Sequence, residues 1–318
     1  MSDYLLSVLL GIVEGLTEFL PVSSTAHLRI SEALLGIDLS SGYWKMYSIV
    51  IQLGAILCLL IYFRSRLKTF LSTFPSGRDG SRSFWNHPLT LTGVAFVCTA
   101  VPSFLLSKLI GKNLESLHVM AIALIVGGIV MWAVDASYGD SRAGDTSARA
   151  SSDAARSGST TSAAAKSQLA GDRTTRMEDM SLGQAIWIGL CQNCSAIFPG
   201  TSRSMATITA GQVAGMSRPA ALEFSFFLSI PTMFAATGYE FFKSFQHKAG
   251  ASAIGAAPSN LHEWLVLGIG FVVSFLVAYL VVAWFMNWVR HHGFAPFAIY
   301  RIIVGVAVLV WAMRAGLR

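Results

Sequence analysis

Apolar residues recur along this chain in long blocks separated by short polar connections, from one end to the other. Six blocks, at 45–63, 88–107, 117–135, 220–241, 262–288 and 295–315, are each long enough for a helix that crosses the ~30 Å hydrocarbon layer of a bilayer. Two further regions, 4–36 and 182–216, are apolar but broken midway by PVSST and by PGTSRS. Each break combines a proline with small hydroxyl residues, which ends one helix and starts another. Neither half of either region is long enough to span. Such segments predict re-entrant helical hairpins, because non-helical backbone at membrane depth is tolerated only where protein buries it or it lines a cavity.

In order, the chain reads hairpin, three spans, linker, hairpin, three spans, so its halves share one plan. Residues 1–135 form the first repeat and 182–318 the second. Three spans per half is an odd number, so the second half enters the membrane from the opposite side and the two hairpins point toward each other. The predicted fold is an all-α polytopic membrane protein: six transmembrane helices plus two re-entrant helical hairpins in an inverted-topology repeat. The joining stretch, 136–181, is rich in Ala, Ser, Thr, Gly and mixed charge through residue 176. It has almost nothing to bury and is expected to be a disordered tether.

Composition agrees with lipid as the solvent. Of 318 residues, 53% are hydrophobic and only 13% charged, about half the charged share of a soluble domain. The formal net charge of +6 does not indicate nucleic acid, because Lys and Arg sit mostly in the connections, where they set orientation. Arg64, Arg66, Lys68, Arg78, Arg82 and Arg290 belong to the richer side, which the positive-inside rule places in the cytoplasm, leaving both termini outside. Cys58, Cys98, Cys191 and Cys194 lack the spacings of a disulfide framework, and the single C-x-x-C pair reads as small packing residues rather than a metal site. The N-terminal segment has no basic n-region and carries Glu14 and Glu18, so it is expected to be retained.

Those glutamates begin the chemistry. A carboxylate at the centre of a membrane helix costs roughly 2.5–3.5 kcal/mol on insertion scales, so two of them need compensation or a task. Four residues apart on a helix, Glu14 and Glu18 can ligate one hard divalent cation or share a proton, unless they lie among headgroups. After Pro21, the hydroxyls of Ser23, Ser24 and Thr25 suit the start of a second half-helix, whose free N–H groups favour anions. His27, three residues beyond Ser24, lies within range to exchange a proton with a hydroxyl. In the second break Thr201, Ser202 and Ser204 surround Arg203. A guanidinium is suited to bidentate phosphate recognition, or to pairing with Glu14, Glu18 or Glu223. Facing one another, the two breaks would supply the charge neutralisation, nucleophile and proton acceptor of phosphoryl transfer.

EGLTEFLPVSST with His27, VIQLG at 50–54, PGTSRS, EFSF at 223–226 and FAIYR at 297–301 together resemble the bacterial undecaprenyl-diphosphatase family associated with bacitracin resistance. The resemblance runs nearly end to end. It implies removal of the terminal phosphate of undecaprenyl diphosphate, a polyprenyl diphosphate lipid, in the bacterial inner membrane, with the site opening to the periplasmic side. It implies a divalent cation, Mg²⁺ or Ca²⁺, at Glu14 and Glu18, catalysis by Ser24, His27 and Glu18, and diphosphate binding by Arg203 and Ser202. Thr201, Ser204, Thr25 and Ser23 fall beside these. Ser24 assisted by His27 is the favoured attacking pair, with His27 itself or water as alternatives. The chain departs from the family pattern at Ser48, where an acidic residue is common, and at Asn193, where Gln is expected. Bilayer lipid is the other expected partner, nucleic acid is not one, and a homo-oligomer stays open. The competing function is a transporter or flippase for the polyprenyl phosphate carrier, because inverted repeats with broken helices also serve alternating access.

Overall fold

The structure, a computed structural model, describes residues 2–37, 42–77, 83–106, 116–139, 173–246 and 258–315. Among these residues there are eleven α-helices and no strand. In chain order they are α1 Asp3–Thr17, α2 Ser24–Leu35, α3 Gly42–Tyr62, α4 Arg64–Thr73, α5 Pro88–Leu105, α6 Leu117–Tyr138, α7 Leu182–Ile197, α8 Arg203–Val213, α9 Arg218–Gln246, α10 Leu261–Trp288 and α11 Ala295–Ala315. Six of them, α3, α5, α6, α9, α10 and α11, are long and apolar enough to cross a membrane and coincide with the six expected blocks. Large apolar side chains such as Phe104, Leu280 and Ile303 face outward, as they do where lipid rather than water surrounds the bundle. The chain is a multi-pass membrane protein.

Two features differ from the sequence expectation. Helix α4 was not anticipated: it is short, carries Arg64, Arg66 and Lys68, and buries only Phe70. Of the stretch 136–181 expected as a linker, residues 136–138 are the last of α6, and 173–181 are folded. Thr174 N–H donates to Gly215 O and Ser217 N–H to Thr174 O, Met177 and Met180 are buried, and Ser181 and Gln184 form a capping box that starts α7. The intervening residues, 140–172, lie outside the described residues.

Both apolar regions that carry a break are interrupted where expected. Helix α1 has 15 residues and α7 has 16, roughly 22–24 Å at 1.5 Å per residue and short of the hydrocarbon thickness. The second helix of each pair begins in the same way. Ser23 before α2 has φ 75° and Ser202 before α8 has φ 72°, and they are the non-glycine residues with positive φ among those described. Each accepts a hydrogen bond at 3.4 Å from the N–H three residues on, Ala26 and Met205 respectively, which satisfies one free donor of the helix start. Left-handed serines cost of order 1 kcal/mol or more each, so their surroundings must hold them.

Close helix contacts supply that support. In lipid, association rests on van der Waals packing and small residues. Helix α1 lies on α10 through Gly15, where a Cβ would stand 2.7 Å from Val277 Cβ. Helix α7 lies on α5 through Gly189, where a Cβ would stand 2.4 Å from Ala95 O. At the far end of α6, buried Asp135 accepts from Arg218 Nε at 2.7 Å, Gln212 Nε2 at 3.1 Å and Phe294 N at 2.8 Å, joining α6, α8, α9 and the start of α11. Asp135→Ala is expected to cost about 3–5 kcal/mol, because it removes a buried carboxylate on which donors from α8, α9 and the start of α11 converge. Thermal unfolding in detergent checks this, and an unchanged midpoint would contradict it.

Candidate active site

The two breaks meet. Glu18 ends α1 and Ser24 opens α2, so their side chains lie across one tight turn, and Ser24 Oγ donates to Glu18 Oε2 at 2.6 Å. Arg203, the first residue of α8, crosses from the other break, and its Nη2 donates to Glu18 Oε1 at 3.0 Å. The Arg203 and Glu18 side chains are 11% and 5% exposed. Ser204 Oγ, 3.0 Å from Ser202 Oγ, donates to Leu20 O at 2.9 Å, so the second break also holds the backbone of the first. A cavity of about 380 Å³ opens beside this pair, lined by Glu18, Ser23, Ser24 and Thr25 on one side and Ser202 and Arg203 on the other.

Two groups here carry unused hydrogen-bonding capacity. Arg203 Nε is buried without an acceptor, and both carboxylate oxygens of Glu14, one turn before Glu18, are buried without a donor. Buried polar atoms are nearly always satisfied in folded proteins. A donor left open beside the cavity fits an anion, and acceptors left open behind it fit a cation or a proton. Among the described residues no cluster of three or more His, Cys, Asp or Glu side chains gathers. The hard-oxygen donors here are the unpartnered Glu14 carboxylate, Glu18 beside it and the hydroxyls, residues that could hold Mg²⁺ or Ca²⁺ rather than a softer metal.

His27 makes its hydrogen bonds to groups other than Ser24. Its Nδ1 is 2.7 Å from Ser23 O and its Nε2 2.8 Å from Tyr300 Oη, with the two rings stacked at 5.6 Å. A carbonyl only accepts, so Nδ1 carries the proton and Nε2 accepts from the tyrosine. Ser24 turns back toward the end of α1 and finds Glu18 instead. Thr25 is exposed at the cavity edge, whereas Thr201 lines a separate apolar cavity of about 670 Å³ with Val126, Phe198 and Met205. Glu223 pairs with Arg66 on α4 at 2.5 Å, not with Arg203. Ser48 donates within its own helix to Lys45 O.

Other cavity residues were not singled out from the sequence: Gln52, Thr99, Ser103, Gln192, Ser195 and Thr232. Each is a polar residue inside an apolar helix, which was the available signal, and Gln52 lies within VIQLG. At the position where Gln was expected, Asn193 accepts from Ser103 Oγ and donates to Cys98 O. The glutamine that lines the cavity is its neighbour, Gln192.

Residues 7–307 match the family model described as bacitracin resistance protein BacA. A protein of Koribacter versatilis named undecaprenyl-diphosphatase is 59% identical over 316 residues, covering 99% of this chain and 100% of that one. A protein of the same name from Caldanaerobacter subterraneus is 37% identical over 95% of this chain and 93% of its own length. Undecaprenyl-diphosphatase 2 of Paramagnetospirillum magneticum is 40% identical over 96% of this chain and 98% of its own. With matches that run the length of the molecule, the chain belongs to the bacitracin resistance protein BacA family.

Proposed function

We infer that the chain is an undecaprenyl-diphosphatase: it hydrolyses undecaprenyl diphosphate to undecaprenyl phosphate and inorganic phosphate, returning the lipid carrier to cell-wall synthesis and conferring bacitracin resistance. The observation that carries this is the buried Arg203 guanidinium, with Nε unfilled, set against a Ser24–Glu18 hydrogen bond in a cavity walled by both breaks. A substrate phosphate supplies the acceptor that Arg203 Nε lacks, and Ser24 is the hydroxyl already joined to a base.

In this reading, substrate phosphate draws Arg203 from Glu18, and the freed carboxylate becomes the stronger acceptor for Ser24. Ser24 Oγ bonds to the terminal phosphorus as its proton passes to Glu18. The phosphorus–oxygen bond to undecaprenyl phosphate breaks, with the electron pair leaving on that oxygen. Water then replaces Ser24 at phosphorus, and the proton held by Glu18 returns to Oγ. Arg203 and the N–H groups at the start of α8 neutralise the phosphate oxygens throughout. Glu14, with Glu18 at its edge, would hold a Mg²⁺ or Ca²⁺ ion, whose contribution when bound is further neutralisation of phosphate charge. His27 acts on the site from behind, through the Ser23 carbonyl. The apolar cavity that reaches Thr201 suits an isoprenoid chain.

The two broken pairs, α1–α2 and α7–α8, are read as re-entrant hairpins of an inverted repeat spanning 1–135 and 182–318. Their matching left-handed serines and the paired packing of α1 on α10 and α7 on α5 support that plan. In this reading the protein sits in the bacterial inner membrane with the cavity open to the periplasm, opposite the side whose connections are richer in Lys and Arg. The transporter or flippase alternative would use the same anion site, but it gives no task to the Ser24–Glu18 pair.

Purified protein with undecaprenyl diphosphate and Mg²⁺ or Ca²⁺ is expected to release one phosphate for each undecaprenyl phosphate formed. A chelator should abolish release and restored metal should recover it. Turnover that persists in chelator would remove the metal from the account, and folded protein without turnover would remove hydrolysis.

A further inference from the structure

Arg301, on α11, is the largest side chain with no exposed surface among the described residues. No ion pair reaches it there. Its two Nη groups donate instead to the backbone of three separate segments, Nη1 to Pro21 O at 2.9 Å, and Nη2 to Gly200 O at 3.1 Å and Ala123 O at 3.2 Å, while Nε is buried without an acceptor. Pro21 lies in the first break and Gly200 in the second, each two residues before the left-handed serine that starts the next helix. Ala123 is on α6.

Helix α6 is cut away to admit the guanidinium. A Cβ at Gly127 would stand 2.3 Å from Arg301 Nη2 and 3.2 Å from Arg301 Cζ, while one at Gly128 would meet α11 itself, 2.8 Å from Ala298 O. Gly200, at φ 94°, rests on the same helix, with a Cβ there meeting Met120 O at 2.6 Å. A cation without a counter-charge at this depth is costly, and a side chain kept only for packing would be apolar. What the guanidinium supplies is a planar fork of donors for carbonyls that the interrupted helices leave open.

We propose that Arg301 is a positioning residue for phosphoryl transfer, a strap between the two breaks that sets the distance at which Arg203 meets Glu18 and Ser24. This rests on the hydrolase reading. Arg301 does not line the cavity, so it acts through Pro21 and Gly200, and its loss alters the approach of catalytic groups rather than removing one.

The test compares wild type with Arg301→Met, Arg301→Lys and Gly127→Ala, as full-length protein in detergent below its unfolding temperature. Arg301→Met is expected to lower kcat about 100-fold with KM within about threefold, since displacement by an ångström has effects of that size. Arg301→Lys keeps donors and is expected to recover about tenfold of the loss. Gly127→Ala keeps the Arg301 side chain but sets a methyl against its Nη2 and against Met205 Cε, and is expected to lower kcat about tenfold. Should Arg301→Met not fold, the other two variants decide: full kcat in Gly127→Ala overturns the strap, as does a kcat in Arg301→Lys no better than background. Hydrogen exchange across residues 20–26 and 199–205 reads the strap without turnover, and Arg301→Lys or Arg301→Met should raise it in both breaks together. Unchanged exchange overturns the proposal even if wild type proves inactive, whereas wild-type inactivity with exchange raised in both breaks counts against hydrolysis alone.

Discussion

Arg203→Ala is expected to slow phosphate release from undecaprenyl diphosphate by on the order of 10³-fold, the loss typical when a cation that stabilises transferring phosphate is removed. The effect has two sources. Substrate loses the one guanidinium that the second break presents to the cavity. Glu18, 5% exposed, is left buried without its cationic partner at 3.0 Å, so the resting site is destabilised as well. Arg203→Lys should recover only part of the rate, because an ammonium offers a point charge where the guanidinium offers Nη2 to Glu18 and Nε to phosphate. Steady-state kinetics in detergent check both variants, and an Arg203→Ala enzyme within about tenfold of wild type would show that phosphate is held elsewhere.

Ser24→Ala carries the second large expected effect, again a loss on the order of 10³-fold, now in kcat with little change in KM. Its hydroxyl is the group hydrogen-bonded to Glu18, and alanine in the first turn of α2 preserves the helix because the capping oxygen belongs to Ser23. His27→Gln makes the contrast sharp. An amide can still donate to Ser23 O and accept from Tyr300, so this variant is expected to keep turnover within about tenfold of wild type. If His27→Gln instead matched Ser24→Ala, the imidazole would be the proton acceptor and the Ser24–Glu18 pair a resting contact. Mass spectrometry of a quenched reaction adds a direct reading, since attack by Ser24 predicts a phosphate on that residue.

Much of this molecule is legible in its sequence because bilayer physics acts on single segments. The six apolar blocks had to be helices, and proline followed by small hydroxyls marked both breaks, as the structure has them at 18–23 and 198–202. Glu14, Glu18 and Arg203 stood out because charge inside apolar segments is expensive. What stayed hidden depended on which distant segments touch. His27 finds its second partner 273 residues away at Tyr300, and no spacing within α2 could have indicated that contact. Arg301 looked like part of a recognisable motif, but its work appears only when Pro21, Ala123 and Gly200 are brought around it. Gln192 and Asn193 are adjacent in sequence, and only the rotation of α7 against α5 decides which faces the cavity. Helix α4 escaped notice because its ten residues are held by tertiary contacts, Arg66 pairing with both Glu178 and Glu223, rather than by a long apolar run.

The central claim is that the two breaks form one hydrolytic site, and a double-mutant cycle on kcat/KM for undecaprenyl diphosphate tests it most directly, using Glu18→Gln, Arg203→Gln and the pair. Because Glu18 and Arg203 act as a unit, each single variant is predicted to lose on the order of 10³-fold and the double variant no more than about tenfold beyond the worse single. Losses that multiply, driving the double variant to background while each single variant stays measurable, would contradict a shared site, and single variants with wild-type turnover would contradict the site altogether.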